Sequence, residues 1–107
     1  MSAIGLVTKN EKGGYSGTLN TLTISAPIEF FPTREKRSER HPDFYIYSGR
    51  IEIGAAWLRI GKESGEEYVS ASLAMPEFGS KRLFANLGRA AGQDDDNVFA
   101  LIWNPED

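Results

Sequence analysis

The chain reads as an all-β domain: a small, mainly antiparallel barrel or sandwich of about six to seven strands, with little or no helix. Three observations predict this. Short runs rich in Thr, Val, Ile, Tyr and Phe alternate apolar with polar residues, the period of a half-buried strand. Clusters of Gly, Asn, Pro and Ser separate those runs and supply turn conformations. No stretch of useful length places apolar residues at helical spacing.

Taken in order, Ile4 to Lys9 alternates as a short strand, and Asn10 to Gly14 (NEKGG) is turn chemistry. Tyr15 to Ile24 (YSGTLNTLTI) suits a pleated surface, with a bulge near Asn20 to reconcile two apolar sets on opposite faces. Pro27 and Pro32 bracket Ile28 to Phe31 and predict an edge strand or an extended segment. Thr33 to Pro42 (TREKRSERHP) has four Arg or Lys, two Glu, one His and no apolar residue. That composition predicts a solvated, flexible loop. The whole of residues 1–107 is expected to form one domain around this loop at 33–42.

Phe44 to Tyr47 follows, with Phe44 and Ile46 on one face and Tyr45 and Tyr47 on the other. The stretch Gly49 to Leu73 is predicted to be a long hairpin. Ile51, Ile53, Ala55 and Trp57 form its stronger apolar row, which predicts Trp57 at the centre of the core. Gly54-Ala55-Ala56 carries little bulk, so a backbone, a ring or a ligand can approach closely there. Lys62 to Gly65 fits a four-residue hairpin loop with Gly at the left-handed position. On the return strand Tyr68, Ser70 and Ser72 oppose Val69, Ala71 and Leu73. Met75 to Gly79 breaks the sheet and Arg82 to Leu87 resumes it. Gly88 to Asn97, with its acidic run, reads as a loop, and Val98 to Trp103 as a strand buried on both faces.

Composition narrows the chemistry. With 107 residues the chain can bury one core without staples, and with no cysteine it has no disulfide, thiolate metal site or cysteine nucleophile. The N-terminal MSAIGLVTK has neither the charged start nor the apolar run of a signal peptide, and no apolar run reaches transmembrane length. The expectation is a soluble, cytoplasmic protein with no membrane partner. A net charge of −3 removes any global attraction to nucleic acid, leaving only a local basic patch to supply it.

Gly54-Ala55-Ala56-Trp57, followed by Arg59, Gly65, Tyr68, Ser70, Leu73, Pro76, Phe78, Asn86-Leu87 and Leu101-Ile102-Trp103, resembles an uncharacterised bacterial family, domain of unknown function 736. Ile4-Gly5, Gly14-Tyr15-Ser16-Gly17 and Thr21-Leu22 match in style, so the likeness covers nearly the whole chain. The resemblance implies a small single-domain bacterial protein of the kind found among genes of plasmids and other mobile elements. It supplies no activity and no catalytic residue.

Enzyme chemistry finds little footing. The sole histidine, His41, lies beside Pro42 in the charged loop, where nothing would hold it as a rigid base. Glu66-Glu67 and Asp94-Asp95-Asp96 are adjacent in sequence rather than convergent, and the acidic run lacks the spacing of an EF-hand. Gly13-Gly14 and the Gly88 to Gly92 segment do not open a helix, so no phosphate-cradling loop is present. No catalytic residue, metal ligand or cofactor site is assigned, and a non-catalytic role is expected.

Two readings remain. The first is a binding module acting through a protein partner or self-association, motivated by strands that look like sheet edges. The alternative is single-stranded nucleic-acid binding, because small barrels stack bases on strand aromatics beside basic residues. The residues assigned to such a surface are Tyr45, Tyr47, Arg59, Lys62, Tyr68 and Arg82. The loop Arg34 to His41 (REKRSERH) is a second phosphate-contact region, offset by Glu35 and Glu39.

Overall fold

The computed structural model describes residues 3–35, 37–90 and 96–104. Eight antiparallel strands follow one another in sequence order: β1 (Ala3–Lys9), β2 (Tyr15–Asn20), β3 (Ser25–Pro32), β4 (Phe44–Ser48), β5 (Ile51–Ile60), β6 (Glu67–Leu73), β7 (Leu83–Arg89) and β8 (Val98–Trp103). Each pairs with the next, and β8 returns to β1, closing the sheet into a barrel. Among the described residues the only helical turn is a 3-10 turn at Pro76–Phe78. No described helix is long and apolar enough to cross a membrane.

Closure at eight strands leaves an interior just wide enough for side chains to fill. Val7, Leu19, Phe30, Ile46, Leu73 and Leu101 are almost fully buried inside it. Each contributes roughly 1.5–3 kcal/mol by leaving water. Val69, Ala71 and Leu73 point inward from β6, as their alternation predicts, and Phe44 and Ile46 do so from β4. One mouth of the barrel is plugged by aromatic rings. Tyr15 meets Phe30, Phe44 and Phe99 edge-on at centroid distances of 5.7, 5.7 and 5.5 Å.

Turn chemistry behaves as its residues dictate. Gly49 adopts φ 63° at the first position of the two-residue β4–β5 connection, the place where a II′ hairpin turn needs glycine. The β5–β6 loop is Lys62 to Gly65, closed by Gly61 N–H donating to the Glu66 carbonyl at 2.9 Å.

Five expectations are corrected. The Tyr15 to Ile24 run is strand β2 followed by a turn that leads into β3, rather than one bulged strand. Thr21 N–H donates to the Ile24 carbonyl, and the Thr21 hydroxyl accepts from Ile24 N–H at 3.1 Å. The bracketed segment containing Ile28 is no sheet edge, since β3 pairs with both β2 and β4. Its prolines fit because β4 reaches only Glu29 to Pro32, so Pro27 has a neighbour on one side alone.

The third correction concerns β5. Tyr47 pairs with Glu52 and Ile46 with Gly54, so a bulge places Ile53 as the extra residue. Ile53 and Ala56 are buried, whereas Trp57 is only half-buried and Ile51 is 65% exposed. The bulge switches the inward set in mid-strand, and Trp57 stands on the outer wall instead of in the core. Finally, Val98 to Trp103 is not buried throughout: Ala100 and Leu101 are buried, but Trp103 is 40% exposed. The predicted loop at Gly88 begins later, since Gly88 and Arg89 belong to β7, and residues 91–95 lie outside the described set.

Candidate binding surface

The outer wall of β3 to β7 collects the residues that carry recognisable chemistry. Side chains alternate across a strand, so residues of β3 to β7 that alternate with the core positions stand on this wall. Phe31, Tyr45, Ala55, Ser72 and Phe84 are register partners across five strands and form one row. Phe31 and Tyr45 are 38% and 36% exposed. Tyr47 stands edge-on to Phe31, with ring centroids 5.5 Å apart and planes at 82°. A neighbouring row runs from Trp57 through Ser70 and Asn86 to Ile102. Between Tyr45 and Trp57 on one side and Phe84 on the other stand the small side chains of Ala55, Ser70 and Ser72, of which Ser72 is buried.

Cationic groups border this wall. The Arg59 guanidinium lies 5.9 Å from the centroid of the Trp57 ring, and Arg59 pairs in register with Tyr68. Arg82 Nη1 donates to Ser72 Oγ at 3.4 Å. Lys62, Arg59 and Tyr68 line one open depression together with Leu58, Ile60 and the carboxylate-bearing Glu39. All six residues predicted from sequence therefore share the wall or its rim. Arg59, Lys62 and Tyr68 converge at one end. Tyr47 stands opposite Glu52, roughly 20 Å away along β5 at about 3.3 Å per residue.

The charged loop is fastened to this wall. Beyond Ala56, β5 has no β4 residue beside it, so its backbone would be bare on that side. Asp43 fills the gap: its N–H donates to the Ala56 carbonyl at 2.8 Å and its carboxylate accepts Leu58 N–H at 2.8 Å. The Asp43 carbonyl also accepts Thr33 N–H at 2.9 Å, drawing the two ends of the loop together. Trp57 Nε1–H donates to the Arg40 carbonyl at 3.0 Å. His41 Nδ1 accepts the N–H of Arg37 at 3.2 Å, which engages it within the loop.

Sequence reasoning missed Phe31, the surface position of Trp57 and its bond to the Arg40 carbonyl. The signal for Trp57 was present in Gly54, because glycine inside an alternating strand often marks a bulge that inverts the faces beyond it. The hydrogen bond to Arg40 spans 17 positions and has no local signature.

Elsewhere the chemistry is sparse. Among the described residues no group of three His, Asp or Glu side chains is placed to hold a metal ion. In the acidic run Asp94 and Asp95 lie outside the described residues, and Asp96 pairs with Arg89. The Tyr15 phenol is pushed above its ordinary pKa by burial, with the nearby Glu67 charge acting in the same direction. Asn86 Oδ1 and Thr33 Oγ1 are buried with no hydrogen-bond partner among the described residues. The barrel mouth opposite the aromatic plug holds a depression of about 640 Å³, lined by uncharged residues including Ile4, Ile24, Phe78, Leu83 and Trp103. Leu22 stands fully exposed at its rim.

A family model described as "Protein of unknown function (DUF736)" matches residues 3–106, nearly the whole chain. No curated protein and no solved structure matches the chain.

Proposed function

We propose, for a chain that belongs to the family described as protein of unknown function DUF736, a non-catalytic module that binds single-stranded nucleic acid on its outer wall. The observation that carries this reading is the grouping of exposed Phe31 and Tyr45 with Arg59, Lys62, Tyr68 and Arg82 on one face. Flat rings offer stacking surfaces that every base can use, and the flanking cations meet the phosphates. The reading based on a protein partner loses one of its supports, because among the described residues closure leaves no sheet edge for another strand to pair with. A bacterial setting among mobile-element genes, which the family resemblance implies, and a cytoplasmic location, expected from the sequence, belong to the same proposal.

Overall acidity favours the local arrangement over a global field. The loop at 33–42 carries four Arg or Lys against two Glu and is tied beside the rings at Arg40, so the acidic surplus lies in the rest of the chain. Attraction of this kind is short-ranged, since the screening length is about 10 Å at 0.1 M salt.

Fluorescence anisotropy with short labelled DNA and RNA strands tests the reading, titrated at roughly 0.02 M and 0.15 M salt. Binding should weaken with salt, and Tyr45→Ala or Phe31→Ala should each lose about 1–3 kcal/mol. Arg59→Ala should flatten the salt dependence, by about 0.7 in the log–log slope for each lost phosphate contact. No binding at the lower salt would refute the reading. So would equal affinity for a poly-glutamate peptide, which offers charge but no bases.

A further inference from the structure

We infer that the segment Arg37 to His41, with Arg34 before it, is the phosphate-contacting arm of this wall, and that Trp57 is the residue that positions it rather than a stacking platform. The inference rests on the single-strand binding reading above and assigns the parts within it.

The Trp57 side chain is committed on two sides. Its Nε1–H donates to the Arg40 carbonyl at 3.0 Å. One face of its ring carries the Arg59 guanidinium, 5.9 Å from the centroid. One indole thus gathers two arginine-bearing segments from chain positions 17 or more apart from Arg40 to Trp57 and Arg59. A guanidinium spread over an indole keeps its outer plane and its N–H groups available, so a base or a phosphate meets Arg59 before it meets the ring.

The arm is built to stay where Trp57 puts it. Asp43 joins its end to β5 by two hydrogen bonds of 2.8 Å, and Thr33 N–H closes its base onto the Asp43 carbonyl. Within it, His41 Nδ1 accepts Arg37 N–H, His41 N–H donates to the Ser38 carbonyl, and Arg40 N–H donates to Ser38 Oγ. These contacts use backbone groups and uncharged acceptors, leaving the exposed side chains of Arg34, Arg37 and Arg40 to face solvent. Glu35 and Glu39 oppose them on the same arm, and Glu39 also borders the depression that holds Arg59 and Lys62. The arm therefore provides a modest local cationic field, one that works only while it is held against the rings. The tether is what converts an otherwise balanced loop into part of the surface.

The experiment compares the salt dependence of oligonucleotide affinity in the full chain, in Trp57→Phe and in the double variant Arg37→Gln/Arg40→Gln. Trp57→Phe keeps a ring under Arg59 and every arginine, but removes the N–H that holds the arm. If the arm contacts phosphate, the double variant should lower the log–log salt slope by about 1.4, or 0.7 per lost contact. Trp57→Phe should lower the slope in the same direction and weaken binding about three- to tenfold at low salt, the effect of losing a preordered arm. Circular dichroism confirms that each variant is folded, and the double variant alters only exposed side chains. A slope unchanged in the double variant overturns the arm assignment while leaving binding by the wall intact. A slope lowered in the double variant but unchanged in Trp57→Phe overturns the positioning role. Absence of binding by the unaltered chain overturns both this inference and the reading beneath it.

Discussion

Replacing Gly54 with alanine should be among the most damaging single-methyl changes in this barrel. Gly54 sits at the β5 bulge and pairs with Leu73. A Cβ added there would lie 2.1 Å from the Ser72 carbonyl oxygen and 3.1 Å from the Leu73 Cα, both backbone atoms. Ordinary contact begins near 3.4 Å, so β6 must retreat by more than an ångström. Ladder hydrogen bonds near 2.9 Å do not survive that displacement. Two lost bonds at about 1 kcal/mol each, with about 1–3 kcal/mol of overpacking, give a destabilisation of roughly 3–5 kcal/mol. A domain of this size has roughly 5–15 kcal/mol in total. Urea unfolding followed by far-UV circular dichroism reads the effect directly. With a slope of about 1.5 kcal/mol per molar, the midpoint should fall by about 2–3 M. Gly49→Ala is the control: φ is 63° there but nothing lies within 4 Å, so it should lose only about 1 kcal/mol from the left-handed conformation. A Gly54→Ala midpoint within about 0.5 M of the parent, or a larger loss at Gly49, would refute the close-approach argument.

Two further outcomes follow from the buried polar groups. Folding favours the neutral Tyr15 phenol, so the folded state holds its proton to higher pH than the unfolded chain does. The resulting stability is complete below the ordinary phenol pKa of about 10 and is lost as pH rises above it. Stability measured from pH 8 to about 11 should therefore fall less steeply in Tyr15→Phe than in the parent, and identical slopes would contradict the buried-phenol account. Thr33→Val deletes a buried hydroxyl with no partner among the described residues and keeps the N–H that donates to Asp43. It should gain about 1 kcal/mol and raise Tm by about 4 °C, whereas a lower Tm would show that the hydroxyl is hydrogen-bonded in solution.

Much of the fold was legible locally. The inward sets Phe44/Ile46 and Val69/Ala71/Leu73 follow from strict alternation, which is a property of the pleat itself. Gly65 at φ 69° and the four-residue loop before Glu66 follow from turn chemistry. The candidate wall was partly legible for the same reason: once Ile46 is inside, Tyr45 and Tyr47 must face out. Trp57 defeated that logic because a single bulged residue at Ile53 reverses the parity of everything beyond it. Pro27 misled in a different way. It forbids a backbone donor at one position, but whether that position lacks a neighbour depends on where β4 ends.

By itself, the sequence determined an all-β chain, its turn sites, most inward-facing positions and the lack of cysteine chemistry, because these depend on residues within a few positions of one another. Tertiary structure alone decided that β8 closes onto β1, that Trp57 faces outward, and that the loop before Asp43 is tied to β5. Those outcomes depend on register and on hydrogen bonds between distant segments. Their energies exist only once the barrel has brought the partners together, so no local pattern can encode them.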